Sequence, residues 1–556
     1  MPKVLPIGAM HFRSARQRDD LSYVDKSAYI GRVLRSSAFV LVQCRPRRFG
    51  KTLNLSMLRE WLHRPAVPEL GPDPFRDMVV LRDELACSNR ERHAVLHLSL
   101  KGCKSSSWAA NIDAIRSALH DAWSQLRIPD REVPTWFRPH LSGFQRAKTP
   151  AAQLSMGLKR MATALYEVTG TPVWLLIDEY DAPIQTAWQH GYYGTAVDFL
   201  RPFLGEALKD SNVVQRAVLT GILRVAKEGI FSEMNGVVVD TVLDEAFATD
   251  FGFTEQEVGD LAGDDARLLE ELRSWYNGYN IGGNAIYNPW SVANALSAPH
   301  RPMDVHWMSS GGLEIIERIA TRYAPSSTLT MERLLAGESV PMEVVQGVTM
   351  PEIDRVPDML LNVLLHTGYV TATSVRATQS GQEAMVRLPN REIARCSLGV
   401  FDRLVRNNLQ LLNSTEPLVR GLLDGDAPLV EAVLGSLVRN LLSYHDLADK
   451  TPERIYHVFV LGLLARLPPG YRVSSNKEFG EGRPDVVIEA GAEDQPSALL
   501  EFKTGRSAKT ACEVAAAQIE AKRYVQGVRS RPVFAWAVGF SGKGVVVRRV
   551  AVGDGG

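Results

Sequence analysis

Phe39-Val40-Leu41-Val42-Gln43-Cys44 is an almost wholly apolar run that leads directly into Arg45-Pro46-Arg47-Arg48-Phe49-Gly50-Lys51-Thr52. Such a run is too short for a typical helix and has no alternating polar face, so it reads as a strand buried on both sides. From Lys51 to His63 the apolar residues Leu53, Leu55, Met57, Leu58, Trp61 and Leu62 take helical spacing. A strand, a basic loop and a helix in that order constrain the chain to a sheet covered by helices. Further strands are expected at Ala94–Leu100, Val173–Ile177 and Ala217–Thr220. The alternation from Tyr29 to about Val258 predicts a parallel α/β sheet. Leu261 to Val400 reads as mostly helical, with a short strand pair near Tyr369–Thr371 and Met385–Leu388, and Leu418–Leu464 again looks helical. The tail alternates strand, helix and strand. At 556 residues more than one core is required, and we expect domains at 1–260, 261–415 and 416–556.

The loop Arg45–Thr52 is one residue away from Gly-x-x-x-x-Gly-Lys-Ser/Thr, the pattern that cradles nucleotide phosphates. Gly50, Lys51 and Thr52 stand where that pattern needs them, and Arg45 replaces its first glycine. Helix-start N–H groups and Lys51 would face the β- and γ-phosphates, with the Thr52 hydroxyl on Mg²⁺. Arg45, Arg47 and Arg48 add guanidinium forks suited to phosphate oxygens. Pro46 removes one backbone donor. Val173-Trp174-Leu175-Leu176-Ile177-Asp178-Glu179 supplies the complement: a buried strand delivering Asp178 to the metal and Glu179 to the hydrolytic water. Thr220 and Arg224 follow a later strand, where a group sensing the γ-phosphate would sit. ATP and Mg²⁺ are therefore the expected ligands of the front half.

The tail carries a second constellation. Pro484-Asp485 opens one apolar strand, and Leu499-Leu500-Glu501-Phe502-Lys503 forms the next. Period-2 alternation puts Glu501 and Lys503 on one face, with Phe502 turned into the core. Two carboxylates to hold Mg²⁺ and an amine beside the attacking water are what phosphodiester hydrolysis requires. The stretch from Glu453 to Gly556 has 15 Lys/Arg against 11 Asp/Glu, a lean that suits a polyanion.

At these residues the chain resembles a bacterial and archaeal family in which an AAA-ATPase-like domain is fused to a C-terminal nuclease domain of the PD-(D/E)XK superfamily. Leu5-Pro6-Ile7-Gly8 and Tyr23-Val24-Asp25-Lys26-Ser27 are similar to its opening, and Arg45–Thr52 to its "RPRRFGK" loop. Leu176–Asp181 and Leu219–Arg224 resemble its later ATPase motifs. Phe253-Thr254-Glu255, Trp275–Tyr279, Tyr287–Ser291 and Leu388–Glu392 resemble its middle region. The resemblance implies a P-loop parallel sheet, a helical middle and a restriction-endonuclease-like α/β domain with Mg²⁺-dependent cleavage. It places Asp485, Glu501 and Lys503 at the PD and ExK positions, Glu453 as an added acid on the first helix, and Gln518 as the polar residue on the helix that follows.

Formal charge is zero, with 63 basic and 63 acidic residues, so no global field recruits nucleic acid. No apolar run reaches the ~20 residues of a membrane span, the start lacks an apolar signal core, and five scattered cysteines suit a reducing cytoplasm. The combined expectation is a cytoplasmic, ATP-regulated nuclease acting on DNA in preference to RNA. AAA-like sites often borrow an arginine from a neighbouring copy, so a homo-oligomer is compatible with it. The rival from another class is a nucleotide-dependent switch or scaffold that binds nucleic acid or a partner without cutting.

Overall fold

The computed structural model describes residues 5–8, 11–17, 22–65, 71–145, 150–209, 211–223, 236–297, 302–307, 330–331, 333–335, 337–345, 350, 359–379, 381–397, 412–441, 470–475, 482–528, 530–541 and 544–551. The chain forms two compact units, one of residues 1–316 and 337–397 and one of residues 317–336 and 398–556.

The first unit is built on five strands: β1 (Val40–Cys44), β2 (Ala94–Ser99), β3 (Val173–Asp178), β4 (Val214–Gly221) and β5 (Val237–Asp240). Their spatial order is β2-β3-β4-β1-β5 and every pairing is parallel. Every residue of β1 and of β3 is buried, the unbroken burial expected when helices cover both faces. Helices Lys51–Leu62, Trp108–Ser124, Gly157–Thr169 and Tyr193–Leu208 lie in the connections between strands. Lys51–Leu62 sinks Leu55, Leu58, Trp61 and Leu62 completely; each such side chain is worth about 1.5–3 kcal/mol relative to exposure. Because all five strands run the same way, Cys44, Ser99, Asp178, Gly221 and Asp240 end on one edge, where ligands of open α/β sheets bind.

The middle of this unit is mixed rather than purely helical. Helices Glu255–Ala262, Ala266–Tyr276 and Pro289–Ser297 share a core of Val258, Leu272, Tyr276, Tyr287, Val292 and Leu296, into which Leu5 also packs. Thr254 and Glu257 cap the first of them reciprocally. A hairpin, β6 (Tyr279–Ile281) and β7 (Asn284–Ile286), stands beside a three-stranded antiparallel sheet. That sheet joins β8 (Val340–Val344), β9 (Thr371–Ala377) and β10 (Gln382–Arg387) in the order β8-β10-β9. The strand pair was legible; β8, with its alternating Val340, Met342 and Val344 turned inward, is the additional member.

The second unit centres on β11 (Tyr471–Ser475), β12 (Val486–Ala490), β13 (Ser497–Thr504), β14 (Val533–Ser541) and β15 (Gly544–Val550), in sequential order. All neighbours are antiparallel except β13 and β14, which the helix Ala508–Lys522 connects. That helix lies flush on the sheet: a Cβ on Gly539 would come within 2.0 Å of the Ala508 carbonyl oxygen. Its Ala515, Ala516 and Ile519 pack on Val487, Leu499, Ala535 and Ala537. Trp536 points the opposite way and donates its indole N–H to Leu422 at 3.1 Å, tying helix Leu412–Asp424 to the other face. No helix among the described residues is long and apolar enough to cross a membrane.

Candidate active sites

In the first unit, Gly50 at φ 85° caps the helix Lys51–Leu62 in the left-handed region that glycine enters freely. The turn brings Thr52 to the end of β3. Thr52 Oγ1 donates to one oxygen of Asp178 at 2.7 Å, and Thr220 Oγ1 donates to the other at 2.6 Å. Three residues far apart in sequence thus meet at one carboxylate that is only 1% exposed. Lys51 Nζ donates to the carbonyls of Arg45 and Pro46 at 2.9 and 2.8 Å. Burial lowers its pKa, while the Asp178, Glu179 and Asp181 carboxylates pull it back up.

Asp181 does a different job from its neighbours. It accepts the backbone N–H groups of Ile222 and Leu223, both at 2.9 Å, and the Gln185 amide at 2.6 Å. That fixes the turn leaving β4 and so the placement of Thr220. Burial raises the Asp181 pKa, and the two backbone N–H groups oppose the shift.

A cavity of about 550 Å³ opens over this edge, within the usual size of ligand pockets. Arg47, Arg48, Gly50, Lys51, Thr52, Lys101, Lys104 and Glu179 line its polar part, and Leu5, Ile7, Val24, Phe253 and Trp290 give it apolar walls. Cations and apolar rings are interleaved in its walls, with the Arg48 guanidinium 4.6 Å over the Trp290 ring. Lys104 was not apparent from the sequence: its ammonium lies 2.6 Å from Glu179 Oε2. The only available signal was its place just beyond a strand end.

The structure redirects Arg45. It is fully buried, 2.7 Å from the Asp240 carboxylate, and donates to the Thr241 carbonyl at 2.8 Å. A guanidinium neutralised beneath the sheet edge does not reach a phosphate, so Arg45 is a structural plug and not a phosphate ligand. Thr220, expected at the γ-phosphate, is also fully buried and touches the centre through Asp178. Arg224 lies outside the described residues.

In the second unit the register of β12 on β13 pairs Val486 with Leu500, which sets Asp485 beside Glu501. Asp485 Oδ2 accepts the Phe502 N–H at 2.8 Å. Lys503 Nζ donates to Glu501 Oε1 at 3.0 Å and to the Phe502 carbonyl at 2.8 Å. Asp485, Glu501 and Lys503 are therefore brought together, with Phe502 buried between them as its alternation predicts. Gln518 donates its amide to the Tyr524 hydroxyl at 2.9 Å. Burial raises the Tyr524 pKa, the Gln518 bond opposes this, and the Glu501 and Asp485 charges add to the rise. Tyr524 is thus the partner of Gln518, which the sequence had not suggested. Glu453 lies outside the described residues.

The family model described as "Predicted AAA-ATPase" matches residues 6–231, and that of the "PD-(D/E)XK nuclease superfamily" matches residues 451–550. The chain joins an AAA-ATPase-like domain to a PD-(D/E)XK nuclease-superfamily domain. Along 97% of its length it is also 25% identical to an "Uncharacterized protein in vnfD 5'region" of Azotobacter chroococcum mcd 1, covering 96% of that protein. Two Aeropyrum pernix structures share a slight likeness. ORC2, in ADPNP–ADP complexes, has a TM-score of 0.26 and 13% identity over 69% of this chain and 92% of its own. ORC1, in complex with DNA, has a TM-score of 0.24 and 11% identity over 71% of this chain and 98% of its own. Likeness at that level carries no functional inference.

Among the described residues no three His, Cys, Asp or Glu side chains stand at metal-ligating separation. The nuclease-superfamily centre still suits Mg²⁺, which usually takes one or two carboxylates and completes its shell with water and phosphate. Its donors are all hard oxygens, and the Lys503 ammonium already rests on two of them, which marks that pocket as one built to face a cation. In the AAA-ATPase-like domain, Thr52 and Asp178 are likewise oxygen donors.

Proposed function

We propose that this chain is an ATP-binding, metal-dependent nuclease that hydrolyses phosphodiester bonds of DNA in preference to RNA. The observation that carries the reading is the convergence of Asp485, Glu501, the Phe502 carbonyl and Lys503 at two adjacent strands. Asp485, Glu501 and that carbonyl would hold Mg²⁺. When bound, the ion polarises the scissile phosphate and lowers the pKa of its water. Lys503 orients the attacking water or offsets charge on the phosphorane-like transition state. Gln518, through Tyr524, braces the site beside both carboxylates, and Glu453 is assigned the remaining acidic role.

Lys51, Thr52, Gly50 and Arg48 are assigned to the nucleotide phosphates, Asp178 to the metal and Glu179 to the hydrolytic water. Thr220 acts by orienting Asp178, and Arg224 is kept as a γ-phosphate contact. The front domain, 1–260, gates or powers the nuclease, 416–556, by way of 261–415. A cytoplasmic location and assembly into a homo-oligomer complete the proposal.

Purified full-length chain incubated with labelled single- and double-stranded DNA and RNA, with and without ATP and Mg²⁺, tests it. We expect metal-dependent cutting of DNA, altered by ATP. Absence of cleavage in both Mg²⁺ and Mn²⁺, with nucleotide still stabilising the fold, would instead favour the non-cleaving switch.

A further inference from the structure

The phosphate loop carries bulky cations where a glycine cradle is usual, and what its third guanidinium, Arg48, does was not legible from the motif. Arg48 has φ 66°, in the left-handed region that a residue with a Cβ seldom occupies. From that backbone its guanidinium lies 4.6 Å above the ring of Trp290 and donates to the His306 carbonyl. Glu392 explains why those two partners are where they are. It is fully buried and accepts the Ser291 hydroxyl at 2.8 Å, the His306 N–H at 2.7 Å and the Trp307 N–H at 2.9 Å. One carboxylate thus pins the residue after Trp290 and the backbone whose carbonyl receives Arg48. Trp307 closes a second link, its indole N–H donating to the Arg47 carbonyl at 3.4 Å. Between them, Gly368 at φ 89° lets Pro46 approach; a Cβ there would meet the proline Cβ at 2.8 Å.

Arg48 also lines the cavity that contains Lys51 and Thr52. A guanidinium stacks through its face and donates through its edge, so one side chain can serve an aromatic wall and an anion together. Its bond to His306 has charge on the donor alone, whereas a phosphate oxygen would pair the guanidinium fork with an opposite charge. Phosphate in the loop would therefore compete for the Arg48 edge and disturb the stack on Trp290.

We propose that Arg48, seated between Trp290, the His306 carbonyl and the Glu392-pinned wall, transmits occupancy of the phosphate loop to the wall formed by Trp290, His306 and Glu392. The coupling is reciprocal: a wall that holds the Arg48 edge lowers nucleotide affinity to the extent that nucleotide loosens the wall. Arg48 is in this sense a positioning residue, and the proposal rests on the reading that the loop binds nucleotide.

The test uses full-length chain titrated with ATP–Mg²⁺, following tryptophan emission while calorimetry measures binding separately. We expect an emission change on binding that Trp290→Phe removes. Arg48→Ala should weaken binding about 10-fold, Glu392→Gln should strengthen it by loosening the competing wall, both should remove the change, and the double variant should bind as Arg48→Ala does. Arg48→Lys keeps the charge but not the planar stack, so it should recover part of the affinity and none of the signal. Should Glu392→Gln fail to fold, Arg48→Lys and Trp290→Phe decide the matter alone. Binding with the emission change intact in Trp290→Phe, or full affinity in Arg48→Ala, overturns the coupling while leaving nucleotide binding in place. Calorimetry that detects no binding by the unaltered chain removes the nucleotide reading itself, and the coupling with it.

Discussion

The two centres are assembled in opposite ways. The AAA-ATPase-like centre draws Thr52, Asp178 and Thr220 from three segments separated by well over a hundred residues in total, and only the parallel order β3-β4-β1 makes them neighbours. The nuclease-superfamily centre takes Asp485, Glu501 and Lys503 from strands that follow one another, so a local antiparallel register suffices. The first is saturated with internal hydrogen bonds and sits beneath its cavity. The second keeps Lys503 at the sheet surface, partly exposed. A centre made by topology depends on the whole sheet; one made by register depends on two strands.

Arg45→Met is the harshest way to break this contrast. It leaves Asp240 buried without its partner, and removing one member of a buried pair costs up to about 3–5 kcal/mol, an upper bound because protonation of Asp240 offsets part of it. Denaturant unfolding should register that loss in the first unit, and DNA cleavage per folded molecule should persist. Retained stability would show that Asp240 is neutral in the native state. Lys503→Ala is the reciprocal cut: cleavage should fall by about 10²–10³-fold, the scale of losing one transition-state charge stabiliser, with ATP binding unaltered by calorimetry. Undiminished Mg²⁺-dependent cutting in that variant would remove Lys503 from the chemistry.

That contrast also decides what could be read from the residues alone. Asp485, Glu501 and Lys503 were legible because period-2 alternation and chain proximity place them without knowledge of the fold. The pairing of Thr52 with Asp178 was anticipated only from the order of two motifs, and the locking role of Thr220 on Asp178 required the strand order. Arg45 misled because a basic side chain in a phosphate-type loop carries no mark of the direction in which it points; Asp240, its partner, lies 195 residues away. Tyr524 and Lys104 were missed for the same reason. Each sits just after a regular element, and its importance lies in what another segment brings to it.

Thr220→Val sharpens the topology side at a smaller magnitude. It deletes one of two donors to Asp178 Oδ1, leaving the Glu179 N–H at 3.1 Å, while keeping the side chain's shape; losing one such hydrogen bond costs about 0.5–1.5 kcal/mol. Thr52→Val removes the donor to the other oxygen. Because both act on one carboxylate, a double-mutant cycle by thermal unfolding should show coupling beyond the ~0.5 kcal/mol scatter of independent sites. Additive losses would mean that Asp178 is not the shared partner.

The smallest expected effect concerns acid. His97 on β2 has its pKa lowered to about 4, mainly by burial and then by the Arg59 charge, and its Nε2 is buried without a hydrogen-bond partner. Between pH 6.5 and 4 the unfolded chain takes up a proton that the native ring refuses, so stability is complete above 6.5 and declines as pH falls toward 4. The ceiling is about 3 kcal/mol, and partial exposure of the ring reduces it. Asp240 runs the other way, since burial raises its pKa to about 6 against the Arg45 charge, and stability from it grows as pH falls through that value. The histidine contribution must therefore be taken as a difference. The stability gap between His97→Gln and the unaltered chain should narrow or invert in favour of the variant as pH drops from 7 to 4. A gap that stays constant with pH would mean that His97 titrates normally in the folded protein.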